Sequence, residues 1–299
     1  MKTIATMISR DLAMTKPIFS RFGILVLFLF CSSLLRAGHI LIPMGDGEQT
    51  DHLKAYGIAY WVLERELEIQ WLLNHRGGSF LLPDADAIRQ ECLIRGVRFE
   101  SISSSEWQSI LSEIERPEVN KAAVKLEKAP RIAVYSPKSK QPWDDAVTLV
   151  LTYAEIPYDV IYDEEVLSDA LAMYDWLHLH HEDFTGQYGK FYGAYRFAPW
   201  YINQKAEMEA DAKRFGFSKV SELKSAVAEK IREYVVGGGF LFAMCSATDS
   251  YDIALSAKGI DICEPMFDGD PSEAGYQNKI DYNRTVAFKD FRLERDPMK

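Results

Sequence analysis

The run Phe240-Leu-Phe-Ala-Met-Cys245 limits the possible folds more than any other stretch, because no polar side chain interrupts it. A strand without polar alternation is expected to be buried on both faces, as in a parallel sheet with helices on each side. Leu223, Val227, Ile231 and Val235 precede it at four-residue spacing, and Gly237-Gly238-Gly239 closes that helical stripe. Earlier in the chain, Arg131 to Tyr135, Tyr158 to Tyr162 and Tyr174 to His180 read as further strands. Pro142, Asp144 and Asp145 form a helix start, ahead of an apolar stripe through Val147, Val150, Leu151 and Ala154. Strand–helix repetition of this kind predicts an α/β, doubly wound, mostly parallel sheet. With 47% hydrophobic and 26% charged residues, the composition is that of a chain able to bury such a core.

The first half alternates as well. His39 to Met44 suits a short buried strand, and Thr50 or Asp51 can cap a helix carrying Leu53, Tyr56, Ile58 and Trp61 to about Arg65. Leu67 to Leu73 reads as a strand, and Arg76-Gly77-Gly78 turns the chain. A helix from about Asp84 ends at Gly96, Val97 to Ile102 is strand-like, and a third helix surrounds Trp107 and Ile114. The polar stretch Arg116 to Lys128, closed by Pro130, marks a boundary. It divides the chain into 1–37, 38–128 and 129–299.

Residues 1–37 read as a secretory signal peptide. A basic region ending at Arg21 precedes the apolar run Phe22 to Phe30, and small residues follow to Ala37. That run is short for a bilayer span, which favours cleavage over a retained anchor, and a secreted or periplasmic protein with no stable membrane span afterwards. The whole chain carries a net charge of −10, and loss of the leader removes five basic residues and one acid, leaving about −14. A duplex-binding surface needs a basic footprint, and with this net charge and no Lys/Arg-rich run the sequence argues against nucleic acid as a partner. Beyond Cys31, the cysteines are Cys92, Cys245 and Cys263, an odd number too scattered for a disulfide framework.

Chemistry in open α/β sheets gathers beyond the carboxyl ends of the strands. One such end is Cys245, which runs into Ser246-Ala-Thr-Asp-Ser250 and a helical stretch. A cysteine at a helix N-terminus faces free N–H groups that favour a thiolate and can hold an oxyanion, the geometry of a nucleophile elbow. The alternative is a small hydrophobe in a core strand. The other end is His178-Leu-His-His-Glu-Asp183, which holds three of the six histidines. Such a cluster suits general acid/base work or a divalent metal, although no H-E-x-x-H spacing is present, and it can also be purely structural. The strands ending at His180 and Cys245 are expected to be parallel neighbours, with His180 or His181, rather than His178, nearest the thiol.

The second half resembles the class I glutamine amidotransferase-like fold, through its opening strand, polar strand end, glycine-rich turn and elbow cysteine. Long stretches also resemble a secreted bacterial family labelled asparagine synthetase B: Tyr56 to Leu63, Trp143 to Ala154, His178 to Gly186 and Gly237 to Ser250. Members of that family run on past Lys299, which implies that the domain is incomplete at its C-terminal side. Amidotransferases of this class pair the elbow cysteine with a later histidine, and no histidine follows Cys245. An asparagine synthetase needs a cysteine directly after Met1, where Lys2 stands, and a Ser-Gly-Gly-x-Asp-Ser loop. Ser246-Ala-Thr-Asp-Ser250 is one residue short of that loop and lacks its glycines.

These readings combine into an amidotransferase-like hydrolase or amidase with an altered triad. Cys245 is the nucleophile, His180 or His181 the base, and Glu182 or Asp183 its orienting partner. The amides near Ser246 and Ala247 form the oxyanion hole. No metal ligand set and no cofactor is named by the sequence. The competing reading is a non-catalytic binding module for a small molecule, peptide or glycan, using the aromatic residues between Phe184 and Tyr201, Tyr192 among them.

Overall fold

Two sheets of different kind organise the chain in the computed structural model, which describes residues 38–137, 146–296 and 298. The leader and the expected helix start at Pro142 lie outside the described residues. The first sheet has the order β4-β1-β3-β2-β5 and is antiparallel throughout. Its strands are β1 (Gly38–Ile42), β2 (Ile69–Leu73), β3 (Ser79–Pro83), β4 (Glu100–Ser103) and β5 (Ala122–Leu126). Helix α1 (His52–Leu63) begins at Asp51, whose side chain accepts from the Lys54 amide. Helix α2 (Asp86–Arg95) ends at Gly96 in the left-handed conformation, and α3 (Ser104–Ile114) begins with a Ser103–Glu106 capping box. Ile40, Ile42, Phe80 and Leu82 pack against α1 and α2, whereas Leu41, Leu72 and Leu81 meet Ile114 of α3.

Two strands of this sheet depart from the sequence reading. Strand β3 follows the Gly77-Gly78 turn as the return of a hairpin, and β5 lies inside the polar stretch expected as a boundary. Strand β5 is an edge strand, where one row of backbone groups faces water and polar side chains are tolerated. Local composition therefore hid it. Its pairing runs in register from Ile69 opposite Leu126 to Leu73 opposite Ala122.

The second sheet is parallel and has the order β7-β6-β8-β9. It comprises β6 (Ile132–Tyr135), β7 (Asp159–Ile161), β8 (Trp176–Leu179) and β9 (Phe240–Ala243). The helices are α4 (Ala146–Ala154), α5 (Asp163–Leu167), α6 (Tyr192–Tyr195), α7 (Pro199–Arg214), α8 (Val220–Val236), α9 (Ser246–Ser256) and α10 (Pro265–Asp268). Ala133, Tyr135, Leu177 and Leu179 share a core with Leu223, Val227 and Ile231 of α8. On the opposite face, Ile132 and Val134 pack against Leu151 of α4 and Tyr60 of α1.

Strand β9 forms one edge of this sheet, so its expected burial on both faces is met on one side only. Leu241 and Ala243 turn into the core, while Phe240 and Phe242 remain 58% and 45% exposed. The two halves meet where Gly57 of α1 lies against the last turn of α4, so closely that a Cβ there would stand 1.9 Å from the Ala154 carbonyl oxygen. The Tyr60 hydroxyl donates to Pro130 O at 2.7 Å, and Lys54 pairs with Glu155 at 2.6 Å across the same seam. Among the described residues, no helix is long and apolar enough to cross a membrane.

Candidate active site

Parallel pairing of β8 with β9 brings the two suspected strand ends together. The register sets Leu179 opposite Ala243, and the Met244 amide donates to Leu179 O at 3.1 Å. Three further bonds lace α9 to the histidine loop. The Ala247 amide donates to His180 O at 3.2 Å, the Ser246 hydroxyl to His181 O at 3.1 Å, and the Ser250 hydroxyl to Glu182 O at 2.8 Å. Cys245 is exposed and occupies the N-cap of α9 with φ 54° and ψ −141°. Its carbonyl is pinned by the Thr248 hydroxyl at 2.7 Å and the Thr248 amide at 3.2 Å. The core-strand alternative, a buried Cys245, is therefore not what the fold adopts.

The remaining candidates divide by what holds them. His178 is a sheet-face residue, stacked on Phe242 with ring centroids 5.3 Å apart. His180 and His181 turn to each other, Nδ1 to Nδ1 at 3.2 Å. In a neutral pair only one Nδ1 can carry the proton, so that ring holds its basic lone pair at Nε2. Glu182 is buried, and its Oε2 accepts the His180 amide at 2.9 Å. Asp183 is taken up in closing the loop: Oδ1 accepts from the Thr185 amide and hydroxyl, and Oδ2 from the Gln187 amide. Gly186 follows with φ 78°, where a Cβ would stand 2.7 Å from the Ser221 backbone at the start of α8. Among the described residues, no hydrogen bond joins the Cys245 thiol to an imidazole. Of the two expected oxyanion donors, the Ala247 amide already has a carbonyl partner. The Ser246 amide, in the first turn of α9, has no acceptor within its own helix.

Beside this loop lies a polar cluster that the sequence reading missed. Lys224 and Asp163, 1% and 2% exposed, form an ion pair with the ammonium 2.8 Å from both carboxylate oxygens. The Tyr162 and Tyr135 hydroxyls each lie 2.9 Å from the same ammonium, and Tyr135 also donates to Asp163. Burial opposes the Lys224 charge, but the Asp163 carboxylate and the Tyr162 hydroxyl together outweigh it and hold the ammonium above its ordinary range. Burial first, and Asp163 second, raise the Tyr135 hydroxyl well above its usual range. Lys224 and Tyr162 line a chamber of about 40 Å³ together with His181 and Glu182. One signal was legible: Lys224 sits within the buried stripe Val220, Leu223, Val227, where a lysine is out of place unless paired.

Elsewhere, Asp261, Cys263 and Asp268 bring ligand atoms within 4.8 Å of one another. The Lys219 ammonium already sits among these acids, 2.5 Å from Asp261 and 3.2 Å from Asp268. Among the described residues, the side chains of 178–183 form no such grouping. The aromatic run expected as a groove is largely packing: Phe184, Tyr188 and Tyr201 are buried in the core, with Phe191, Tyr192, Tyr195 and Trp200 against it. Compared with protein-family models, with curated proteins and with solved structures, the chain gives no match.

Proposed function

We propose that the chain is an exported thiol-dependent hydrolase or amidase on a glutamine amidotransferase-like α/β scaffold, with Cys245 as its nucleophile. The observation that carries this reading is the Cys245 backbone, a non-glycine residue at φ 54° between a parallel strand and a helix. Such a conformation costs about 1–3 kcal/mol and persists only where the surroundings enforce it. At a strand-to-helix turn it lifts the nucleophile clear of the sheet. The thiol attacks an amide or ester carbonyl, and the Ser246 amide stabilises the resulting oxyanion. One imidazole of the His180–His181 pair takes the thiol proton and returns it to the departing amine or alcohol. Water then hydrolyses the thioester, and its proton restores the thiol. Glu182 acts by positioning the loop that carries both imidazoles, and Asp183 by closing it.

A second reading keeps the cleft without turnover, as a binding module for a small molecule, peptide or glycan. It is favoured by the two imidazoles bonding each other at 3.2 Å. Alkylation kinetics followed by mass spectrometry separate the two. Cys92 and Cys263 are buried, and burial pushes the Cys92 thiol up to about 12, so outpacing them follows from exposure alone. The informative standard is glutathione. Iodoacetamide is expected to modify Cys245 about tenfold faster than glutathione at pH 7, with the excess lost in a His180→Ala/His181→Ala double variant. Equal rates for Cys245 and glutathione would leave the binding reading.

A further inference from the structure

A cavity of about 530 Å³ runs along α9 directly beside the elbow. Ser246, Asp249, Ser250 and Ile253 line it at spacings of three, four and seven, one face of the helix that Cys245 caps. The rest of the lining includes the rings of Tyr192, Phe267, Phe288 and Phe291 and the side chain of Leu293, with the charged Lys289, Arg292, Glu294, Arg295 and Asp296 among them. Tyr192 and Phe267 meet edge-to-face with centroids 5.3 Å apart. The volume falls in the range of small-molecule sites, roughly 300–1,000 Å³.

Part of this lining comes from the segment after Thr285, which is tied down along its length. The Asp252 carboxylate, buried on α9, accepts the amides of Val286, Ala287 and Phe288 at 2.7, 2.8 and 2.8 Å. Phe291 O accepts from the Tyr282 hydroxyl at 2.6 Å, Gln277 accepts the Leu293 amide at 2.8 Å, and Arg295 pairs with Glu264 at 2.6 Å. That segment is thus held in place by bonds that do not depend on what fills the cavity.

We propose that this cavity is the substrate side-chain pocket of the Cys245 site and that it takes an aryl group carried next to the scissile carbonyl. The proposal rests on the nucleophile reading above. Rings of Tyr192, Phe267 and Phe291 offer edges and faces to an aromatic guest, which an alkyl chain uses less well. The helix face leads from the pocket to Ser246, one residue from the thiol.

The test compares three reagents on the full chain: iodoacetamide, N-benzyl-iodoacetamide and N-hexyl-iodoacetamide, each normalised to its rate with glutathione. The benzyl reagent is expected to show saturation and an advantage of about tenfold over iodoacetamide at Cys245, about 1.4 kcal/mol. Ile253→Trp, which fills the pocket, should abolish that advantage, and Leu293→Ala, which widens it, should weaken it. Binding of unreactive N-benzylacetamide to Cys245→Ser protein, read by NMR shifts, gives a measure independent of thiol reactivity. Fast alkylation with no benzyl advantage would overturn the pocket and leave the nucleophile. Slow alkylation with benzylacetamide binding that Ile253→Trp removes would overturn the nucleophile and support the pocket. An equal advantage for the hexyl reagent would overturn the aryl assignment.

Discussion

At Cys245 the backbone stores energy that a different residue would not have to spend. Glycine adopts φ 54° with little penalty, whereas a Cβ makes that conformation costly. Cys245→Gly is therefore expected to raise stability by about 1 kcal/mol in urea denaturation while removing the exposed thiol. Cys245→Ala removes the thiol but keeps the Cβ, and its stability should stay within about 0.5 kcal/mol of the parent. Gain of stability on loss of function is the pattern of a strained functional residue. A glycine variant no more stable than the alanine variant would show that the turn is not strained.

Among the elements, helix α1 carries a glycine at its centre for a reason that helix propensity opposes. In an exposed helix, glycine to alanine gains about 1 kcal/mol. At Gly57 the new Cβ would stand 1.9 Å from the Ala154 carbonyl oxygen. Backbone on both sides leaves no flexible side chain to yield, so Gly57→Ala should lose about 2 kcal/mol or more, seen as a lowered Tm. The same seam explains why two units recognisable as separate in sequence pack as neighbours: Tyr60 reaches the core under β6, and Lys54 reaches Glu155. At the second sheet, three bonds between α9 and the histidine loop make the elbow and that loop one structural unit.

For the whole molecule, the buried Lys224–Asp163–Tyr135–Tyr162 cluster is expected to contribute to the loss of stability at alkaline pH. In the folded chain Lys224 and both tyrosines titrate above their ordinary values. Above about pH 10 the unfolded chain has released these protons while the folded chain still holds them, so stability falls as pH rises. Below about pH 10 that contribution is fully present. Lys224→Met alone leaves Asp163 buried without its cation and should cost about 3–5 kcal/mol near neutral pH. Lys224→Met with Asp163→Leu should recover most of that loss and make the alkaline limb of the stability curve shallower by the Lys224 share, the two tyrosines remaining buried. Urea denaturation between pH 7 and pH 11 reads both; an unchanged alkaline limb in the double variant would assign the dependence elsewhere.

The sequence by itself determined the order and type of most elements, because they follow from local periodicity and stop signals. The four-residue stripe of α8, the glycine after α2, and the apolar strands β6, β8 and β9 were all legible. It also pointed to Cys245 and the His180–Glu182 loop, since strand ends are where such sheets expose chemistry. Tertiary structure alone decided that the first sheet is antiparallel and that the polar segment around Lys125 is its edge strand, because pairing partners lie far apart in sequence. It alone left Phe240 and Phe242 on an open edge, engaged Asp183 in closing its loop, and turned His178 onto Phe242. Lys224 and Asp163 lie 61 positions apart, and nothing local to either announces the other. A buried charge becomes tolerable only when the fold delivers its partner, which no single stretch of chain can specify.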